Sequence, residues 1–206
     1  MAGLKEIRRR ITSVKNTKQI TRAMKLVSAA KLRRAQDAAV FGRAYVKQLA
    51  RTLEKIASEL PEGFSHPLLG SGEEVARRRV VVVAGERGLC GAYNSTVLKT
   101  VMLKEGRATD GLQRDFVCIG RRAVSFAKRQ GWDIAGVFEG MPEEAARLPV
   151  AEIVESVVRD FLKGDIDEVV VYFTEFRSAM SQEVRCIPLL PFAADSKGTD
   201  ETAAAG

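Results

Sequence analysis

LKEIRRRITSVKNTKQITRAMKLVSAAKLRRAQ, Leu4 to Gln36, begins a stretch that runs on to Leu60 with one glycine, Gly42, and no proline. Nothing in it demands a turn, so one helix over Leu4 to Leu60 is expected. At about 1.5 Å per residue that helix reaches roughly 85 Å. A 206-residue chain has no globule large enough to cover such a rod. Its packing partner is therefore expected outside these residues, or outside this chain. Leu4, Ile7, Ile11 and Val14 fall at 3-4-3 spacing, the a/d seam of a coiled coil. After Val14 a slip of register is expected. Thr17, Thr21 and Ser28 interrupt, and Ile20, Met24 and Val27 carry the next apolar stretch. Small residues follow at Ala29, Ala30, Ala35, Ala38 and Ala39, and Phe41, Tyr45, Leu49, Leu53 and Ile56 restore bulk. A narrow seam fits a two-stranded antiparallel coiled coil, and its polar gaps suggest a surface that slides rather than locks. The plainer reading is a surface helix with a solvated basic face.

Charge divides the chain. Residues 1–36 hold eleven Lys or Arg and one acid, Glu6, about +10 of a formal net charge of +7, so the other 170 residues sum to about −3. A basic rod beside a mildly acidic globule seeks an acidic partner: nucleic acid, anionic lipid or an acidic protein surface. A hydrophobic content of 46% suits a fold with a core. No stretch approaches the roughly 18 apolar residues of a membrane span, and the N-terminus lacks the apolar run of a secretory signal. Cys90, Cys118 and Cys186 show neither metal-ligand nor C-x-x-C spacing, which fits a reducing compartment.

Residues 61–78 read as a linker, with Pro61, Gly63, His66, Pro67, Gly70 and Gly72. His66, the sole histidine, excludes His-based triads and multi-His metal sites; beside Pro67 its expected role is structural. An α/β domain is expected over 79–192 and a small, polar, disordered tail over 193–206. Val80 to Ala84 reads as a buried parallel strand, followed by the turn GERGLCGAYNS, Gly85 to Ser95, and a helix from Ser95 to Glu105. Phe116 to Ile119 and Ile134 to Phe138 read as strands, and Arg122 to Gln130 as a helix capped by Gly131. Val150 to Leu162 is an amphipathic helix stopped by Gly164. Glu168 to Phe173 is a strand, with Gln182 to Ile187 as its antiparallel partner. The alternation implies a small Rossmann-like α/β domain with a mostly parallel sheet.

Gly85, Gly88 and Gly91 directly after a strand suggest a phosphate cradle at a helix N-terminus. The spacing, however, is G-x-x-G-x-x-G, and Arg121 and Arg122 stand where a ribose-binding acid belongs; no P-loop is present. A tight strand-to-helix turn with Asn94 or Ser95 as N-cap explains it better. Cys90, with no histidine near in sequence, reads as a buried packing residue rather than an activated thiol. Asp110, Asp115, Asp165 and Asp167 have no metal-binding spacing, and no catalytic constellation is visible. The basic helix could follow DNA phosphates, but no long leucine zipper follows it, and KLVSAAKLRRAQ mixes its charges with apolar residues.

The Leu4 to Gln36 segment closely resembles the N-terminal helix of the gamma subunit of F-type ATP synthases. ERGLCGAYN, Glu86 to Asn94, is similar to that family's second signature, carried here by Gly88, Cys90, Gly91 and Asn94. VVVYFTEF, Val169 to Phe176, and Met180 to Phe192 also fit, so the resemblance covers residues 1–192. It implies a central-stalk rotor subunit. The rod would turn inside a hexamer of alternating alpha and beta subunits. The α/β domain would sit on the epsilon subunit and the membrane c ring. Ion flow would drive rotation, and the asymmetric shaft would force the beta subunits through successive conformations by contacting each state differently. The subunit would bind no cofactor, metal or nucleic acid, and would meet the membrane only through the c ring.

The resemblance places the coupling region at Met24 with Thr21, Arg22, Lys25 and Val27, and makes Lys31, Arg33 and Arg34 partners for acidic hexamer residues; Lys18 and Arg22 are weaker candidates. The family's second long helix, coiled on the first, is not in the sequence, which stops at Gly206. The isolated chain is thus expected to fray or aggregate over Leu4 to Leu60. No regulatory cysteine-pair insert follows the second strand, and the motif begins directly after Met1. Both suggest a bacterial protein at the cytoplasmic face of the plasma membrane. Two readings compete: a nucleotide-binding α/β protein acting at Gly85 to Gly91, and a basic-helix nucleic-acid binder using Arg8 to Arg10.

Overall fold

The computed structural model describes residues 2–61, 64, 66–69, 74–142, 147–178 and 181–192. The chain forms two compact units, Met1–Glu59 and Leu60–Gly206.

The first unit is a single helix, α1, Ala2–Ser58, of 57 residues. With no proline and one glycine, nothing breaks it. Its polar interruptions are satisfied within the helix. The hydroxyls of Thr12, Thr17, Thr21 and Thr52 each donate at 3.0 Å to the carbonyl one turn back. Glu6 takes Arg10 at 2.8 Å, an exposed i,i+4 pair worth a few tenths of a kcal/mol (~0.3–0.5). Among its described side chains only Gln36 is even half-buried.

The second unit is an α/β sandwich around a five-stranded sheet, β1 Arg77–Val83, β2 Gln113–Ile119, β3 Ile134–Phe138, β4 Glu168–Phe176 and β5 Gln182–Leu190, in the order β3-β2-β1-β4-β5. The first four strands run parallel and β5 pairs antiparallel with β4. Helices α2 (Tyr93–Val101) and α3 (Arg121–Gln130) bury Val97, Val101, Val124 and Ala127 against Val80, Val82, Phe116, Cys118 and Tyr172. Helix α4 (Val150–Leu162) covers the other face through Val157, against Val81, Val117 and Val169. Two successive right-handed crossovers in one direction place α2 and α3 together, and the long return to β4 places α4 opposite. Trp132 closes the first core, stacked on Phe116 at 4.2 Å and edge-on to Phe126 at 5.4 Å.

The expected strands and helices are all present; several borders move. β1 begins at Arg77, so Arg77 and Arg78, read as linker, belong to the sheet. The reason lies in their partners. Along β1 successive arginines point to opposite faces, and each meets a carboxylate, Arg78 and Arg79 on neighbouring strands and Arg77 on Asp167 just before β4. Arg79 sits in register with Asp115 and Arg78 with Glu168. Arg79 forks onto Asp115 at 2.7 and 2.8 Å and also binds Asp160 of α4. Arg78 donates to Glu168 at 2.6 Å. Arg77 and Ala76 donate their amides to Asp167 at 2.8 and 3.1 Å.

Helix α2 ends earlier than expected, at Val101, and continues as one π-turn, Met102–Gly106. That extra residue swings Glu105 into the interior. Its carboxylate accepts from Arg114 Nε at 2.7 Å, from the Tyr172 hydroxyl at 2.7 Å and from Arg78 Nη1 at 3.3 Å. The connector is not featureless: Pro67–Leu69 form one 3-10 turn. His66 Nδ1 accepts from the Leu68 amide at 3.2 Å, the structural role expected of it, and Leu68 packs on the α4-side core. The tail over 193–206 lies outside the described residues.

Candidate functional site

The rod's candidate residues are all exposed, with Met24 at 47% and Val27 at 56%. At 100° per residue, Thr21, Met24, Val27, Lys31 and Arg34 follow one another at i,i+3 and i,i+4 steps and form a continuous ribbon, with Lys25 one turn beyond Thr21 at its edge. Arg22 and Arg33 do not join it. Arg22 stands about 160° from Met24, on the far side of the helix, where Lys18 lies one turn away and Arg33 three turns along. Thr21 contributes a methyl surface rather than a free hydroxyl, since Oγ1 donates to Thr17 and Lys18 carbonyls at 3.0 and 3.1 Å. The ribbon thus runs from apolar groups at Thr21, Met24 and Val27 to cationic groups at Lys31 and Arg34. That chemistry suits a surface bearing both carboxylates and apolar contacts.

The signature turn lies at the carboxyl ends of β1 and β2, opposite the arginine network. Asn94 organises it. Its Oδ1 accepts the Gly85 amide at 2.7 Å; its Nδ2 donates to the Arg87 carbonyl at 3.2 Å and lies 2.9 Å from Cys90 Sγ. The expected N-cap role for Asn94 or Ser95 is therefore corrected. Ala92 occupies the cap of α2 and makes no side-chain cap bond, while Asn94 sits inside the helix and ties back to the loop. The sequence favours Asn at a cap, but the unpaired amide of Gly85 competes for it and wins.

Cys90 is also corrected: it is exposed, not buried. The turn leaves the core before reaching it, and the polar partners Asn94 and the Arg87 carbonyl surround its sulfur. The buried thiol is Cys118, at 0% exposure, which burial pushes up to about 11. The glycines have distinct jobs. Gly91 adopts φ +59°, which other residues take only at a cost. A Cβ on Gly88 would stand 2.7 Å from Arg122 Nη2, so Arg122 lies across it. Leu89 takes φ +60° without being glycine and is 95% exposed at the tip of the turn.

Sequence reasoning missed Leu89 and Glu86. Burial works against the charge on Glu86. Amides of Met141, Gly140 and Arg121, with the charge of Arg121, outweigh it and hold the carboxyl below its usual range. No local pattern announces that bond, because Met141 is far along the chain.

The cavity beside the turn, lined by Cys90, Tyr93, Thr96, Thr174, Gln182 and Val184, holds about 200 Å³. Ligand pockets usually span about 300–1,000 Å³. The Gly85 amide that a phosphate would need is taken by Asn94, and Gly88 is covered by Arg122. The occupied amide weighs against the nucleotide reading; a guanidinium beside the turn by itself does not. Among the described residues no group of three or more His, Cys, Asp or Glu could hold a metal, and no helix is long and apolar enough to cross a membrane.

A family model described as ATP synthase matches residues 3–205. Over 196 residues the chain is 38% identical to the ATP synthase gamma chain of Heliobacterium modesticaldum, covering 95% of this chain and 66% of that one. It is 35% identical over 206 residues to the gamma chain of Chlorobium phaeobacteroides (98% and 70%), and 39% over 192 residues to that of Bdellovibrio bacteriovorus (93% and 64%). The chain thus spans about two thirds of the length of these curated relatives. In fold it is similar to a chain of the Tetrahymena thermophila mitochondrial ATP synthase central stalk and c-ring structure. That likeness has a TM-score of 0.62 at 21% identity and covers 84% of this chain and 72% of that one.

Proposed function

The chain belongs to the ATP synthase gamma-chain family, and on that premise we propose that it serves as a central-stalk rotor subunit. In this reading it couples ion flow through a membrane c ring to ATP synthesis and hydrolysis in an alpha/beta hexamer. One observation carries the reading. A 57-residue helix holds its apolar side chains in the open along its whole length while about +10 of charge lies over residues 1–36. Such a helix offers its surface to acidic and apolar partners outside it.

The chain itself would be non-catalytic. Its action is mechanical, through contacts that differ among the states of its partners. The ribbon Thr21, Met24, Lys25, Val27, Lys31 and Arg34 would meet the hexamer; Arg22, Arg33 and Lys18 would meet whatever lies on the far side. Epsilon subunit and c ring are the partners proposed for the α/β unit, and Gly88, Cys90, Gly91 and Asn94 build its signature corner. The site of action would be the cytoplasmic face of a bacterial plasma membrane, with membrane contact only through the c ring.

The test is assembly with alpha and beta subunits of the same source. A stoichiometric complex with ATPase activity is expected, and its absence under conditions where alpha and beta assemble with a full-length relative would overturn the proposal. Within such a complex Met24→Lys adds a positive charge at the ribbon's centre. Less ion pumping per ATP hydrolysed is expected; unchanged pumping would remove Met24 from the coupling surface.

A further inference from the structure

Steps of three and four from Leu4 reach Ile7, Ile11 and Val14, then Lys18, Thr21, Lys25 and Ser28. The same steps continue to Leu32, Ala35, Ala39 and Gly42, and end on Val46, Leu49, Leu53 and Ile56. The apolar repeat lapses over Lys18, Thr21, Lys25 and Ser28, where Ile20, Met24 and Val27 lie off this line, and it returns in the original phase at Leu32 and from Val46 to Ile56. A strict seven-residue repeat drifts around a straight helix, and stays on one side only when the helix supercoils about another. Its large apolar members are bare, from 42% exposed at Leu53 to 67% at Val14.

An identical helix laid antiparallel, with the two-fold axis beside Ala30, brings every layer into match. Leu4 meets Ile56, Ile7 meets Leu53, Ile11 meets Leu49 and Val14 meets Val46. Further in, Lys18 meets Gly42, Thr21 meets Ala39, Lys25 meets Ala35 and Ser28 meets Leu32. Apart from Leu32, which faces Ser28, large apolar residues face large ones, and the two lysines face Gly42 and Ala35. Gly42 is the most telling. A Cβ there would meet nothing within 4 Å, so nothing in its own chain requires glycine, and glycine is a poor helix former. Opposite Lys18, its bare backbone leaves a trough for the lysine stem while the ammonium reaches water. A parallel pairing would instead stack Lys18 on Lys18 and Lys25 on Lys25.

We propose that the seam of α1 is self-complementary, and that two copies of this chain pair through it as an antiparallel coiled-coil dimer whenever no other helix occupies it. A seam roughly 80 Å long and roughly 10 Å wide covers roughly 800 Å² per partner, the area a standard stable interface buries. The positive charge of both rods opposes the pairing, so salt strengthens it. The dimer hides the seam but not the whole Met24 ribbon. It is separate from the rotor reading: its failure leaves assembly with alpha and beta subunits untouched.

The test uses the full chain with the exposed thiol removed (Cys90→Ser). Sedimentation equilibrium across a wide concentration range is expected to fit a monomer–dimer equilibrium that tightens with salt. A chain with Ile11→Cys mixed with one bearing Leu49→Cys is expected to cross-link on air oxidation, and Ile11→Cys alone is not. Gly42→Lys sets lysine against Lys18 and is expected to weaken the dimer at least tenfold. Because lysine favours helix more than glycine does, helicity by circular dichroism is expected to hold, which separates lost pairing from lost folding. A chain monomeric throughout, aggregates of no fixed size, self-linking of Ile11→Cys, or an undisturbed Gly42→Lys dimer would each overturn the proposal.

Discussion

Glu105 is the side chain whose loss the α/β unit should feel most. Its side chain is 3% exposed, between Arg114 at 7% and Arg78 at 23%. Glu105→Ala removes the carboxylate to which the buried Tyr172 hydroxyl donates at 2.7 Å, leaving it the Cys186 thiol, and takes one anion from between two arginines. Breaking a buried pair from one side costs about 3–5 kcal/mol. Here the low end applies, because Arg114 keeps Asp110 and Arg78 keeps Glu168. The expected loss is therefore about 3 kcal/mol. With a urea slope of about 2 kcal/mol/M, the midpoint falls by about 1.5 M.

The assay has a built-in reporter. Trp132 is the only tryptophan and stacks on Phe116 within the sheet's core, so its fluorescence follows this unit whatever the rod does. Glu105→Gln keeps the shape and an acceptor for Tyr172 but loses the charge; a loss of about 1–2 kcal/mol is expected. The ordering Ala worse than Gln worse than wild type is the signature of a charge-assisted hub. A midpoint shift below about 0.3 M for Glu105→Ala at unchanged slope would show that the arginines find water or other partners, and the reasoning would fail.

Acid should weaken the same unit. The Arg114 guanidinium holds the Asp110 carboxyl down at about 2. Burial opposes the charge on Asp167, but the Arg77 and Ala76 amides, with the charge of Arg77, still lower it. Folded values below the unfolded value of about 4 mean that their contribution is whole above about pH 4 and is lost as pH falls towards about 2. Asp110→Asn is expected to flatten that acid slope in urea midpoints read by Trp132. Gly120→Ala should be far worse than Gly88→Ala. A Cβ on Gly120, at φ +93°, would stand 2.1 Å from the Ala84 carbonyl oxygen, whereas on Gly88 it meets only the movable end of Arg122. A loss of about 3 kcal/mol or more against less than about 1 is expected from thermal melts, and equal losses would refute the geometry. Towards a thiol reagent at neutral pH, Cys90 should react first and Cys118 only on unfolding, since one is exposed and the other wholly buried; mass mapping of labelled peptides reads the order.

What the sequence displayed well was whatever a local rule controls. Ile134–Phe138 and Val150–Leu162 match their expected borders because each is set by nearby chemistry. Gly131 and Gly164 take φ +69° and +75° and end the helices before them. What it concealed was whatever depends on partners distant along the chain. Arg77 and Arg78 look like solvated linker until Asp167 and Glu168, some ninety residues on, come beside them. Asn94 looks like a cap until Gly85 claims its oxygen. Leu89 looks like loop filler until its backbone is seen at φ +60°.

The same contrast explains how the molecule divides its charges. In the α/β unit the arginines at the start of β1 meet a carboxylate for nearly every guanidinium, so they fix strand order and register and leave little field outside. In α1 only Glu6 offsets eleven cations over residues 1–36, and the seam beneath them is uncovered. Charge neutralised inside one unit specifies its fold; charge left over on the other can act only on something outside it. A rod that folded for its own sake would carry neither that surplus nor uncovered apolar stripes from Leu4 to Val14 and from Val46 to Ile56. The apolar stripes suit a partner helix, and the surplus charge suits an acidic surface.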